Sequence, residues 1–451
     1  MLCWLLQGSK VDDNMSTFIA THRVVQRVLR TPVNARFATL FILFYSTVME
    51  VCISYLHLPG LIRYLNDVVL IACLFGVQGR FFAVLRKQKA MVLWYATCVL
   101  FLFDIVTSVV NLVSPMLVLW AIRNTFRGIA YLFCVIAVLR IEDIPRLMRV
   151  LLWLQVPNLV LVAYEYLVTS GGNPDYVHGL FANGAGTNTF GALLLAYYLN
   201  AFLSRRVGGL SLVFVVISTI MIAAMAEEKT FFLYFILIVV ISVLISRWSL
   251  KTFFVIAFLG VAGFVMIGWI NQVQPEMLSF FVDVDTGMNY LTSTWSDSYG
   301  IPRIGAFAFI TSRFFHDSFV TSLFGFGFGS AEHSQFSLMD SEFYRRYENL
   351  MYRSFTHQWT FLETGYIGFA LLVCLFIVAL ICLCRRRWEF RDCDRTLNLT
   401  AICMCLVCII SMWSNATLKL DAAYIPYFGV ALGFLVSINQ VRNPWIERRN
   451  R

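Results

Sequence analysis

The sequence predicts an all-α, polytopic integral membrane protein of about twelve transmembrane helices, with a large extracytoplasmic loop between spans nine and ten. Three observations predict it. First, of 451 residues 59% are hydrophobic and only 14% charged, with a mean hydropathy of +0.74. A soluble chain of this length carries roughly 25% charged residues, enough to coat a water-facing surface. So few charges exclude a soluble globular enzyme. Second, about twelve segments are apolar over the ~20 residues that cross a ~30 Å hydrocarbon core. Third, Lys and Arg gather in alternate loops.

In order, the expected spans are 37–57, 61–79, 91–112, 116–139, 150–168, 185–204, 208–225, 230–246, 252–271, 358–384, 396–414 and 422–440. Those at 61–79 and 185–204 are the least apolar. The chain therefore divides into a cytoplasmic N-terminal segment (1–36), spans one to nine (37–271), the large loop (272–357), spans ten to twelve (358–440) and a cytoplasmic tail (441–451). No cleavable signal peptide is expected, since residues 1–36 are largely polar and basic and the first long apolar run stays as an anchor.

Cytoplasmic loops retain positive charge, which orients the chain. With the N-terminus inside, 25 of the 35 basic residues fall in cytoplasmic segments, among them Arg86, Lys87, Lys89, Arg140, Arg146, Arg149 and the Arg385–Arg387 run. The short outer loops are nearly bare. An even span count with both ends inside follows, and the net charge of +9 is mostly a topology signal. Nucleic acid binding is not expected.

None of the 12 cysteines falls in an outer loop, so structural disulfides are not expected there. The cluster Cys403, Cys405 and Cys408 has metal-like spacing but no accompanying His or carboxylate, and small apolar packing is the favoured reading.

Charges inside spans demand an explanation, because Asp or Arg near a bilayer centre costs ~2.5–3.5 kcal/mol on insertion scales. Here they are Glu50, Arg63, Asp67, Asp104, Arg123, Arg127 and Glu165. At a rise of ~1.5 Å per residue, Glu50, Asp67, Asp104 and Arg123 lie ~9–12 Å below the outer ends of their spans. Arg127 is one turn deeper than Arg123 on the same face. Buried ion pairs that fix helix packing explain this. So does a polar cavity open to the outside, where Arg123 or Arg127 meets an anion such as phosphate. The two explanations are compatible. Lys229, in the turn Glu227-Glu228-Lys229-Thr230, either opens a solvated helix or faces a ligand.

Four segments carry a resemblance. They are Gly179-Leu-Phe-Ala-Asn-Gly-Ala-Gly-Thr-Asn188, the charged turn at Lys229, Pro302-Arg303 followed by Gly325, Gly327 and Gly329, and His357-Gln-Trp-Thr-Phe-Leu-Glu363-Thr-Gly365-Tyr-Ile-Gly368. In this order, over about 175–380, they resemble the O-antigen polymerase and O-antigen ligase superfamily. Gln358 stands where that family usually has Asn or Ser, and Lys229 where it often has Arg.

The resemblance implies a membrane glycosyltransferase of the bacterial inner membrane, its active site facing the periplasm. The donor would be an undecaprenyl-diphosphate-linked oligosaccharide, its lipid lying against the spans. A flippase and a chain-length regulator are further implied partners. No nucleotide sugar, metal or other cofactor is expected. The residue chemistry agrees independently. A diphosphate leaving group needs cationic donors, which Arg303 and Lys229 can supply. The attacking hydroxyl needs a proton acceptor, and His357, with an ordinary pKa of ~6.5, suits. Arg313, His316, His178 and Asp175 are second-rank candidates, and the run 341–353, with Tyr344, Arg345, Arg346, Tyr347, Tyr352 and Arg353, is read either as a glycan or phosphate holder or as an ordinary wet amphipathic helix. Arg303 has the simpler role of opening an interfacial helix, and His357 that of orienting the tenth span. Polymerase is the favoured activity. The alternatives are an O-antigen ligase and, from another class, a secondary transporter or lipid flippase.

Overall fold

A computed structural model of the protein describes residues 32–79, 81–169, 173–181, 183–246, 300–334, 336, 339–386 and 392–435, with isolated positions between 253 and 283. The N-terminal 1–31, much of the expected ninth span (252–271), most of the first part of the large loop and the tail lie outside the described residues. Among those described every element is helical.

The long helices are α1 (Pro32–Ser54), α2 (Leu65–Val77), α4 (Met91–Val110), α5 (Pro115–Val138), α6 (Ile144–Tyr164), α7 (Gly184–Leu203), α8 (Gly209–Met225) and α9 (Lys229–Ile245). Later come α13 (Thr356–Arg386), α14 (Asp392–Ser414) and the short α15 (Tyr424–Ala431). Short helices are α3 (Phe81–Lys87), α10 (Ala306–Arg313), α11 (Phe319–Phe324) and α12 (Glu342–Tyr347).

Seven helices among the described residues are long and apolar enough to cross a membrane: Asn34–Ser54, Gly60–Val77, Met91–Val110, Pro115–Val138, Ile141–Thr169, Thr356–Arg386 and Arg395–Ser414. Two shorter apolar helices, Gly209–Met225 and Lys229–Ile245, accompany them. Their packing is inside-out relative to a soluble bundle. Along α4, Val92, Tyr95, Val99, Leu102, Val106 and Val109 are exposed, while Asp104, Thr107 and Ser108 on the opposite face are buried. A continuous apolar stripe facing outward and a polar one facing inward is stable in lipid and not in water. This is an all-helical membrane protein.

Packing centres on α7 and α14. Both are buried nearly all round, and α14 touches α7, α9, α13 and α15. Such helices have no solvent face to pattern, so their sequences show no polar stripe. Cys403, Cys405 and Cys408 are packed in this core. In the expected twelfth span (422–440) α15 ends at Ala431 and passes into a 3-10 turn, Leu432–Phe434, and residues 436–440 lie outside the described residues.

The tenth span is broken where continuity was expected. At Gly365 the backbone turns to φ 62° and ψ −162° inside α13. The segment 300–355 docks into this kink. Phe326 donates its N–H to the Leu362 carbonyl at 3.0 Å. A Cβ on Gly365 would lie 2.5 Å from the Leu323 carbonyl oxygen, and one on Gly325 equally close to that of Glu363. Two backbones cross at these glycines, which only residues without a side chain permit. Gly327 and Gly329, also at positive φ, rest on Thr107 and Leu117 in the same way, so the glycine run is a docking surface against α4 and α5.

The crossing predicts that Gly365→Ala or Gly325→Ala destabilises the protein by more than the ~1–2 kcal/mol of a left-handed Cβ alone, because neither backbone can yield. Gly79→Ala, with nothing within 4 Å, is the control. Thermal melting of detergent-solubilised protein measures both; an unchanged midpoint for Gly365→Ala would contradict the crossing.

Candidate functional site

The site lies at the end of the bundle where α1, α4, α6 and α8 finish and α5, α7, α9 and α13 begin. There α5 presents Arg123 and Arg127 four residues apart on one face, as the helical repeat dictates. Arg123 donates from Nε to Asp67 Oδ2 at 2.7 Å, from Nη1 to Asn124 at 3.0 Å and from Nη2 to Asp421 Oδ1 at 3.3 Å. Arg127 donates to the same Asp421 oxygen and, from Nη2, to the Lys419 carbonyl at 3.0 Å. Arg63 forms a two-pronged pair with Glu50, both bonds at 2.9 Å, and its Nε lies 4.0 Å from Asp421 Oδ2. The Tyr424 hydroxyl completes Asp67 at 2.9 Å.

Asp421 thus meets three guanidinium groups. Burial alone would raise its acid, but Arg127, Arg123 and Arg63 outweigh it and hold the carboxyl below its ordinary value.

These groups surround a cavity of about 140 Å³. Its wall holds five cationic side chains, Arg63, Arg123, Arg127, Arg353 and Lys419, with His333 beside them and one carboxylate, Asp421. The other acids sit behind the cations rather than on the wall. Aromatic faces support the charges: Arg123 lies 4.9 Å from the Tyr64 ring centre and 4.8 Å from that of Trp120. Arg353 and Lys419 lie over Trp359 at 4.3 and 4.5 Å. His333 stacks on Tyr344 at 4.0 Å and bonds Asp340 at 2.6 Å.

Behind the wall is a layer of buried acids. Lys419 Nζ bonds Glu363 Oε2 at 2.9 Å, both side chains sealed from solvent. Asn124 donates to Glu332 Oε2 at 2.8 Å. The remaining oxygen of each glutamate is buried with no hydrogen-bond partner. Burial first, and the Glu363 carboxylate second, push the Glu332 acid above the usual range.

The sequence candidates divide between this cavity and its surroundings. Arg123 and Arg127 line it, where their ion pairs fix the helices, and Arg127 is almost wholly buried there. His357 is buried one layer away, its Nδ1 3.0 Å from the Met412 carbonyl and its Nε2 3.2 Å from the Arg303 carbonyl. Two carbonyls are satisfied together only by an imidazolium; a neutral ring satisfies one. The Arg303 guanidinium lies over the Phe355 ring at 5.1 Å. Lys229 pairs with Glu227 at 3.0 Å, while Glu228 contacts Asn188 at 2.5 Å and fills the space beside Gly184. The two motifs at 179–188 and 227–230 therefore meet.

His178 borders a second cavity. Asp175 belongs to the 3-10 turn Pro174–Tyr176, and Arg313 and His316 are exposed. Asp421, Lys419, Glu332 and Glu363 are the site residues that sequence reasoning did not single out, whereas Arg353 closes the run 341–353 that the sequence marked as able to hold glycan or phosphate. Glu363 lay inside the quoted motif, and Lys419 stood out as one of two basic residues in the short outer loops.

The buried pair yields a direct prediction. Lys419→Met strands Glu363 in a sealed layer and should cost about 3–5 kcal/mol, whereas Lys419→Met with Glu363→Gln should recover most of it. Thermal melting of the three proteins decides, equal losses in single and double variants being the contrary result. The sequence matches no known protein family and no curated protein, so the functional reading rests on its motifs and this geometry.

Proposed function

We propose that the protein is a polymerase of a bacterial cell-surface polysaccharide, whether O-antigen, capsule or exopolysaccharide. In this reading it spans the inner membrane twelve times with both termini cytoplasmic, and the cation-lined cavity opens to the periplasm. The donor is an undecaprenyl-diphosphate-linked oligosaccharide and the acceptor a sugar hydroxyl. The observation that carries the reading is five cationic side chains converging on one small cavity at the end where the four family-like segments gather. A diphosphate is the common anion that calls for so many fixed donors.

The chemistry follows from the groups at hand. The acceptor oxygen bonds to the anomeric carbon as the bond to the diphosphate oxygen breaks, and the electron pair leaves with the diphosphate. Arg123, Arg127, Arg353 and Lys419 stabilise the charge gathering there. The hydroxyl proton passes to His357, whose Nε2 becomes available once the Arg303 carbonyl withdraws from it. Arg303 and Lys229, which lie outside the cavity wall, act on the donor beyond it.

Deleting the gene and analysing surface glycan tests this. The deletion strain should carry single repeat units on its lipid core, and wild type should restore a polymer ladder. Arg353→Gln and Arg123→Gln should each reduce polymer by on the order of 100-fold at equal membrane abundance, as loss of one charge-stabilising donor does elsewhere. His357→Ala and Arg303→Ala should also fail to restore the ladder. Long polymer stranded on the carrier lipid would mark a ligase, and unexported lipid-linked units a flippase. Full rescue by every variant would sink the site assignment.

A further inference from the structure

The anion cavity shares a wall with a second, larger one of about 320 Å³. The common element is the Arg63–Glu50 pair: Arg63 lines the first cavity, and Glu50 lines the second. The lining changes character across this pair. In place of five cations the second cavity offers Glu50, Glu165, Ser54, Tyr55, Tyr176 and His178.

Its acids are already held in place by hydrogen bonds. Glu165 opens a π-helical turn, Glu165–Thr169, at the end of α6. Irregular turns of this kind frequently mark functional positions. Its Oε1 accepts from the Tyr55 hydroxyl at 2.6 Å, and its Oε2 from the amides of His178 and Gly179 at 2.7 and 2.6 Å. Each Glu50 oxygen accepts one bond from Arg63. A carboxylate has about four acceptor positions, so both acids retain unused lone pairs. Tyr176, 68% exposed, and Tyr55, 39% exposed, give flat apolar faces at the opening.

We infer that this second cavity is a glycan subsite, which takes one or more sugar residues beside the diphosphate bound next door. Carboxylate acceptors for hydroxyl or amino donors, with tyrosine rings for the apolar face of a pyranose, are the chemistry of sugar recognition and not of phosphate recognition. An anion would be repelled here and drawn across the wall. The inference rests on the glycosyltransferase reading and adds the position of the sugar.

The test uses full-length protein in detergent, with two probes: inorganic pyrophosphate, and short oligosaccharides cut from the polymer that the gene-bearing strain makes. Wild type should bind both at once. Tyr176→Ala, an exposed position that leaves the packing intact, should weaken oligosaccharide binding at least tenfold, Tyr176→Phe should retain it, and neither should change pyrophosphate binding. If Tyr176→Ala also weakens the lipid-linked donor, the bound sugar is the donor's; if the donor is unaffected, it is the acceptor's. Either result supports the subsite. Oligosaccharide bound equally by wild type and Tyr176→Ala, with pyrophosphate still bound, overturns the subsite alone. Failure of wild type to bind pyrophosphate overturns the glycosyltransferase reading and the subsite with it.

Discussion

One carboxylate organises the polar end of this bundle. Asp421 enters from the turn between α14 and α15 and meets Arg127, Arg123 and Arg63, which belong to α5 and to the connection from α1 to α2. A charge within a membrane bundle is tolerated only when paired or wet, and here one acid answers for three bases. Asp67 and Glu50 take the balance from the far side. Helices distant in sequence are thereby locked at a common depth. The arginines then cannot relax toward one another, and the cavity between them stays open.

The crossing of Gly325 and Gly365 performs a complementary task. It bends α13 where Glu363 leaves the helix, and so delivers that carboxylate to Lys419. It also holds the 325–334 segment against α4 and α5, where Ser108 donates to the Phe328 carbonyl at 2.7 Å and Trp120 to that of His333 at 2.9 Å. Glu332 sits behind the cavity wall because this segment is pinned, and the Tyr352 hydroxyl ties the neighbouring stretch that carries Arg353 to it through the Ala331 carbonyl. Backbone docking of this sort is stiff, since it has no side-chain rotamers to adjust.

Much of the fold and part of the site were legible in the sequence, for one reason. A charge within an apolar run has no ordinary explanation, so the shared depth of Glu50, Asp67, Asp104 and Arg123 pointed to ion pairs or a polar cavity; Arg123 and Asp67 do pair, Glu50 pairs with Arg63 instead, and Asp104 is buried on α4. Asp421 and Glu332 carried no such signal, because they lie in turns, where acids are unremarkable until the fold turns them inward, and Arg353 stood out only as one of several tyrosines and arginines in the run 341–353. Nor could the partners of His357 be read, since backbone carbonyls leave no trace in residue identity. The kink at Gly365 was hidden by the unbroken apolar run around it. Periodicity and hydropathy report environment; they do not report which backbone a glycine allows close.

The cavity's usefulness to an anion follows from how its donors are spent. A guanidinium has five N–H groups. Arg123 commits three to Asp67, Asn124 and Asp421, and Arg127 leaves its Nε without a partner. Arg353 likewise has an unpartnered Nε while its plane rests on Trp359. Arg123 and Arg127 are therefore fixed by bonds from one part of the guanidinium, while the unpartnered Nε atoms of Arg127 and Arg353 are sealed from solvent rather than presented on the wall. A freely rotating arginine must lose rotamer entropy when it meets a ligand, and the carboxylates and rings behind this wall have largely removed that cost beforehand. They also keep the wall from collapsing or repelling itself apart. Acids set behind bases do not cancel the site; they make its positive charge rigid, and rigidity is what converts charge into stabilisation of a particular anion.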